Sequence, residues 1–289
     1  GSMSTVYKAE HRLTDKSYAV KVLHPDFQRH VHFGNDFAQE GRKMARLNHP
    51  NIIHVHHTIE SEPYCIIMDY FEGKDLGQFI RGKGRLSEEE TLTIGVQIAS
   101  ALIHMREVGI IHCDLHTGNI RVQQEDKNPL DSRIFDLGIA AMMTRGQPVQ
   151  ALPLGTLQYI SPERVKREKV DDKSDLFSLG LLLHEMLTGC NHFYSRKEKE
   201  EATRDIMDAL TDDTKELPLL FPEETPDRLK RLILNLVKKD SNQRLPLEDF
   251  IRETNKILHP GWNAPLLVVG GMALILIAAA GGYFRMLQK

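Results

Sequence analysis

Cysteine is scarce: the 289 residues contain three, at positions 65, 113 and 190. They are scattered, so neither a disulfide framework nor a zinc site of paired cysteines is written into the chain, and a reducing compartment suits it. No long basic block is present and the formal net charge is −3, which speaks against a nucleic-acid partner. No basic start followed by a short apolar core opens the chain, so no signal peptide is expected. Internal repeats and low-complexity tracts are lacking too, which excludes a solenoid. What remains is a chain of 41% hydrophobic and 27% charged residues, long enough for one sizeable domain with a short appendage.

The most informative stretch is His112-Cys-Asp-Leu-His-Thr-Gly-Asn119, followed by Phe135-Asp-Leu-Gly138. Asp114 can accept a proton from a hydroxyl. Asn119 and Asp136 supply an amide and a second carboxylate, hard oxygen donors suited to magnesium. Phosphoryl transfer asks a protein mainly for in-line positioning and neutralisation of phosphate charge, and these are the groups that provide it. Alone, the spacing is only moderately specific, because a polar loop can carry Asp-x-x-x-x-Asn by chance.

Other segments follow in order. Tyr18-Ala-Val-Lys21-Val is β-branched and apolar around one lysine, as in a strand. Phe37, Glu40, Met44 and Leu47 recur at helical spacing and share one face. An acid on an apolar face is costly to bury unpaired, and Lys21 is the obvious partner. Of the histidines at 54, 56 and 57, the first and second fall on one face of a strand, an ordinary alternative to a metal site. Glu198-Lys-Glu-Glu-Ala reads as a solvated helix, Asp131 as part of a short polar connection, and Cys113 as a small buried thiol.

Gly155-Thr-Leu-Gln-Tyr-Ile-Ser-Pro-Glu163, Asp175-Leu-Phe-Ser-Leu-Gly180 and Lys239-Asp-Ser-Asn-Gln-Arg244 complete the set. With these motifs in this order the chain resembles the eukaryotic-type (Hanks-type) serine/threonine protein kinases, over residues 1 to about 257, and is similar to bacterial membrane-anchored members. The resemblance implies an α+β, two-lobed fold: a β-rich small lobe at 1–69 that lacks its first strand, and a mainly helical large lobe at 70–257. It implies ATP with Mg2+ or Mn2+ as cofactor, and protein substrates bearing Ser or Thr. Asp114 would be the catalytic base; Lys21, held by Glu40, would grip the phosphates. Asn119 and Asp136 would hold the metal. Gly1 and Val6 of the glycine-rich run, Ala19, the gatekeeper Met68, the backbone of Asp69 and Phe71, and Arg121 beneath the base would form the nucleotide pocket. Thr156 would bond to the catalytic loop near Asp114. Glu163 and Arg244 would form a buried ion pair, and Asp175 would cap the catalytic loop from below.

Several letters depart from the family pattern. Ser2 and Ser4 replace glycines in the loop over the phosphates. Cys113 stands where many members carry an Arg that reads a phosphorylated activation segment, and 137–154 contains one hydroxyl residue, Thr144. Both facts point away from activation-segment phosphorylation as the switch. His116 replaces the Lys that contacts the γ-phosphate, so catalysis is expected to be slower or more pH-dependent. Leu137 replaces a Phe. A pseudokinase with a binding or scaffolding role is one alternative, favoured by the altered glycine loop. A small-molecule phosphotransferase is another, favoured by Asp-Leu-His-x-Gly-Asn and opposed by Glu163, Asp175 and Arg244.

From Gly261 to Phe284 no residue is charged. A helix over Leu266–Phe284 would be about 28 Å long, close to the thickness of a bilayer core. Trp262 and Tyr283 stand at its ends as interface anchors do. This predicts a linker at 258–264, a single-pass transmembrane helix at 265–284 and a short tail at 285–289, with the catalytic domain on the cytoplasmic side where ATP is. The charge bias is weak, with Arg252 and Lys256 before the span and Arg285 and Lys289 after it. Ala278 and Gly282 make one small-xxx-small pair, too little to indicate dimerisation.

Overall fold

A computed structural model describes residues 3–28, 31–124, 130–136, 154–193 and 198–260, together with two short strands at 268–269 and 272–273. The chain opens with strands β1 (Ser4–Glu10) and β2 (Ser17–Leu23). Helices α1 (Pro25–Gln28) and α2 (Val31–Met44) come next, then β3 (Val55–Ile59) and β4 (Cys65–Asp69). The four strands form one antiparallel sheet in the order β1-β2-β4-β3, with β1 at an edge. Strand alternation places Ala19, Lys21 and Leu23 of β2 on the buried face, so the only lysine of that strand points inward. Helix α2 covers this face: Phe37, Glu40, Met44 and Leu47 are all buried, as their spacing predicts.

Beyond Asp69 the chain becomes mainly helical. The elements are β5 (Lys74–Asp75), α3 (Leu76–Lys83), α4 (Glu88–Glu107), β6 (Ile120–Gln123) and β7 (Asp131–Ile134). They are followed by α5 (Leu154–Leu157), α6 (Pro162–Val165), α7 (Lys173–Thr188), α8 (Lys199–Thr211), α9 (Asp227–Leu236) and α10 (Leu247–Leu258). Asp131 thus lies in a strand and pairs with Arg133, not in a loose connection, because β7 completes a small sheet with β5 and β6. The solvated character of Glu198–Glu201 is as expected, with α8 beginning there.

Helix α4 starts in a reciprocal cap: the Ser87 hydroxyl accepts from Glu90 N and the Glu90 carboxylate accepts from Ser87 N. Helix α7 is buried from Ser174 to Leu187 at every residue but Glu185 and lies in the core. It stops at Gly189, whose φ of +79° and 2.0 Å gap from an added Cβ to Gly84 O both demand glycine. The two lobes are stitched by Ile53 N donating to Ile134 O and Ile134 N donating to Asn51 O, both 2.9 Å.

The expected membrane span lies outside the described residues except at four positions. There Val268–Val269 pairs antiparallel with Met272–Ala273, and so departs from the expected helix locally. Among the described residues no helix is long and apolar enough to cross a membrane.

Candidate active site

The cleft between the lobes gathers charge. Lys21 Nζ lies 3.3 Å from Glu40 Oε1 and 2.9 Å from Asp136 Oδ1. Lys21 and Glu40 are almost fully buried, whereas the Asp136 side chain is about one-third exposed. Burial works against the Lys21 ammonium, but Asp136 and Glu40 outweigh it and hold its pKa above the ordinary lysine value. Burial also pushes the Glu40 carboxyl up, with Lys21 pulling it back only in part. Its second oxygen is buried without a hydrogen-bond partner, which is the physical reason for that push.

Asp114 sits on the opposing wall, buried, and one of its carboxylate oxygens has no partner. Burial opposes its charged form, but His116, His112 and Arg164 more than offset this and keep its pKa below the usual aspartate value. Asn119 closes a 3₁₀ turn, Thr117–Asn119, and donates through Nδ2 to the Asp114 carbonyl at 2.9 Å. With the amide nitrogen spent there, the amide oxygen is the end left for a cation. Asn119 and the half-open Asp136 carboxylate are a two-oxygen set, which fits magnesium carried in with phosphates rather than caged by protein alone. Bound there, the ion would neutralise phosphate charge.

His116 lies in the turn between Asp114 and Asn119. Its Nδ1 accepts from Gly118 N at 3.0 Å and caps the turn that ends at Asn119. That bond leaves the ring one donor, Nε2, which faces Asp114 Oδ2 at 3.7 Å. The fit requires Gly118, since an added Cβ would come within 2.9 Å of the His116 ring.

Of the residues assigned to the nucleotide pocket, the structure gives the following neighbours. Val6 is the cross-strand neighbour of Lys21, and Ala19 that of Met68. Asp69 N already donates to His54 O at 3.0 Å, so of its two backbone groups only the carbonyl can serve an adenine amine. Arg121 stacks its guanidinium over the Phe135 ring, 5.6 Å from the centroid, and donates to Gly73 O. The Phe135 and Phe71 ring centroids lie 6.2 Å apart, an aromatic pair that the motifs did not single out. Gly1, Leu137 and Thr144 lie outside the described residues. His56, at the strand face shared with His54, is spent on Asp69 Oδ1 at 2.7 Å, and no cluster of three metal-binding side chains occurs among the described residues.

Two expectations are corrected. Thr156 is buried but makes no hydrogen bond to Asp114. The segment reaches the catalytic loop through other side chains: Tyr159 OH lies 3.3 Å from Thr117 Oγ1, and Arg164 donates to Cys113 O. Cys113 is half-buried, not sequestered, because its backbone adopts φ of +63° in a loop pinned from below. That pinning comes from Asp175, whose two oxygens accept from His112 N and Cys113 N at 2.9 Å each. Burial pushes the Asp175 carboxyl up to about 6 in spite of those bonds.

Away from the cleft, Glu163 and Arg244 make a two-pronged ion pair at 2.8 and 2.7 Å, and Ser174 donates to the same carboxylate. It holds the end of the segment after Thr156 to the base of the large lobe.

A lysine bridged to two carboxylates across from an Asp–Asn loop, under a twisted sheet and above a helical body, defines a phosphotransferase of the protein kinase class. The chain belongs to the protein kinase family: the family model described as "Protein kinase domain" matches residues 1–254. Among curated proteins it is similar to a probable serine/threonine-protein kinase of Streptomyces coelicolor, 32% identical over 98% of this chain and 41% of that protein. It is also similar to the serine/threonine-protein kinase PrkC of Bacillus subtilis, 30% identical over 84% of this chain and 37% of that protein. The chain therefore spans about two-fifths of the length of these relatives. Among solved structures, Rad53 1-466 in complex with AMP-PNP superposes with a TM-score of 0.69 at 25% identity, covering 88% of this chain and 62% of that one.

Proposed function

We propose that this chain transfers the γ-phosphoryl group of ATP to Ser or Thr hydroxyls of protein substrates, with magnesium as cofactor. The observation that carries this reading is the convergence of Lys21, Asp114, Asn119 and Asp136 in one cleft, with Lys21 held charged by two carboxylates. Asp114 orients the substrate hydroxyl and accepts its proton as the oxygen bonds to phosphorus. The bond from that phosphorus to the bridging oxygen breaks, and the charge leaves on the diphosphate. Lys21 positions the phosphates, Glu40 positions Lys21, and Asn119 and Asp136 supply the metal oxygens. Mass spectrometry of the protein and a generic acceptor protein after incubation with Mg-ATP tests this, with Asp136→Asn alongside. Phosphate in the wild type and loss in the variant is expected; no phosphate and no ATP binding in the wild type removes the catalytic reading.

Attachment to a membrane through 265–284, with the catalytic domain on the cytoplasmic face, belongs to the same proposal. It is supported by the uncharged run and its aromatic ends. Membrane fractionation of the full chain beside one ending at 264 tests it, and equal partition of the two into the soluble fraction refutes it.

A further inference from the structure

The residue before the catalytic base holds the least favourable backbone in the cleft. Cys113 has φ of +63°, a conformation that a residue with a Cβ adopts only where its surroundings enforce it. The enforcing groups lie on both sides. The peptide entering Cys113 is held by its N–H, which donates to Asp175 Oδ1 at 2.9 Å. The peptide leaving it, shared with Asp114, is held at both ends. Its N–H donates to His112 Nδ1 at 3.2 Å, and its carbonyl accepts from the Arg164 guanidinium.

Arg164 comes from outside the loop. It lies on α6, immediately after Glu163, whose carboxylate is locked to Arg244. The guanidinium therefore reaches the loop from an anchored base, 51 positions away in sequence. A charged donor makes a stronger bond than a neutral one, and its positive charge also favours the carboxylate form of Asp114.

We propose that Arg164 is a positioning residue for the catalytic base: it holds the Cys113–Asp114 peptide in its left-handed turn and so aims Asp114. In this chain the end of the segment after Thr156 thereby orders the catalytic loop directly, through an arginine and a carbonyl, where position 113 itself carries no cation. The inference rests on the kinase reading for its consequence on turnover, but its structural half stands apart from it.

The test joins exchange and kinetics on the full chain. In Arg164→Ala, backbone amide hydrogen exchange across 112–119 rises about tenfold or more, because one of the bonds closing the loop is gone. Turnover of ATP with a generic acceptor protein falls by about 10²-fold, the scale of a misplaced catalytic group. Direct Mg-ATP binding and KM for ATP change little, since Arg164 does not line the nucleotide pocket. Arg164→Lys recovers part of the loss. The decisive arm is Arg164→Ala combined with Cys113→Gly. Glycine adopts positive φ without a Cβ penalty, so the double variant regains turnover to within about threefold of Cys113→Gly alone. A merely structural role for Arg164 in α6 would not be rescued by glycine at 113. Unchanged exchange in Arg164→Ala, or no recovery in the double variant, overturns the proposal. If the wild type transfers no phosphate, the exchange arm still decides it.

Discussion

Two buried ion pairs occupy the two lobes, and they are built to different standards. In the large lobe Glu163 and Arg244 meet through both oxygens and both terminal nitrogens, with Ser174 adding a third donor. Arg244 spends its remaining donors on the carbonyls of Lys238, Lys173 and Lys239. In the small lobe Lys21 touches Glu40 through one oxygen at 3.3 Å, leaves the other orphaned, and shares its charge with Asp136. A pair that only has to hold structure can satisfy every group. The small-lobe pair leaves one Glu40 oxygen orphaned and its carboxyl pushed up by burial, the cost of burying charge without full partners.

The sharpest break in this comparison should come at the base facing the small-lobe pair. Asp114→Asn should lower turnover by about 10²–10⁴-fold, the usual worth of a positioned general base, with an unchanged circular dichroism spectrum and melting temperature. Arg244→Met, in contrast, should act on stability. It leaves the Glu163 carboxylate buried and uncompensated, a loss of about 3–5 kcal/mol that urea unfolding would show as a lowered midpoint. Lys21→Met should reverse that pattern. Turnover falls by about 10²–10³-fold, as when one preorganised electrostatic group is removed. Stability falls less than in Arg244→Met, because the Glu40 carboxyl, already pushed up by burial, can take a proton, whereas Arg244→Met also strips the donor from the carbonyls of Lys238, Lys173 and Lys239. A larger stability loss in Lys21→Met than in Arg244→Met would erase the distinction between the two pairs.

The gentlest probe is pH. Burial opposes the Glu163 carboxylate, but bonds from Arg244 and Ser174 outweigh it and hold the pKa at about 2, against 4.5 ordinarily. Between those values the unfolded chain binds the extra proton, so stability rises with pH. The contribution is complete above pH 4.5 and is lost as pH falls through about 2. Glu163→Gln should therefore show a flatter dependence of unfolding free energy on pH in that window than the wild type. Equal slopes would remove Glu163 as the source.

Reading by residues alone captured elements whose signal is local. The spacing of Phe37, Glu40, Met44 and Leu47 marks a buried helical face, and an acid there demands a cation, so the Lys21–Glu40 pair was legible before any coordinates. Motif order likewise foretold Glu163–Arg244 and the Asp175 cap under the catalytic loop. What stayed hidden depends on side-chain reach across the fold. Thr156 was expected to bond near Asp114, yet Tyr159 and Arg164 make the contacts to that loop. His116 was read as the replacement for a lysine near the γ-phosphate, and that its Nδ1 also accepts from Gly118 N to cap the turn was not foreseen. Neither outcome has a periodicity or composition that announces it.

The amino-acid order by itself determined the class of fold, the identity of the charged groups and their broad roles. The fold class and the roles follow from the family resemblance that the ordered motifs carry, while alternation, helical spacing and the expense of burying unpaired charge mark local features such as the Lys21–Glu40 pair. Tertiary structure alone decided which groups are satisfied and which are left reactive: Asp136 against Lys21, the orphaned oxygens of Glu40 and Asp114, and Arg164 on the Cys113 carbonyl. A hydrogen bond is made or missed over a few tenths of an ångström, and between residues tens of positions apart only the packed fold sets that distance.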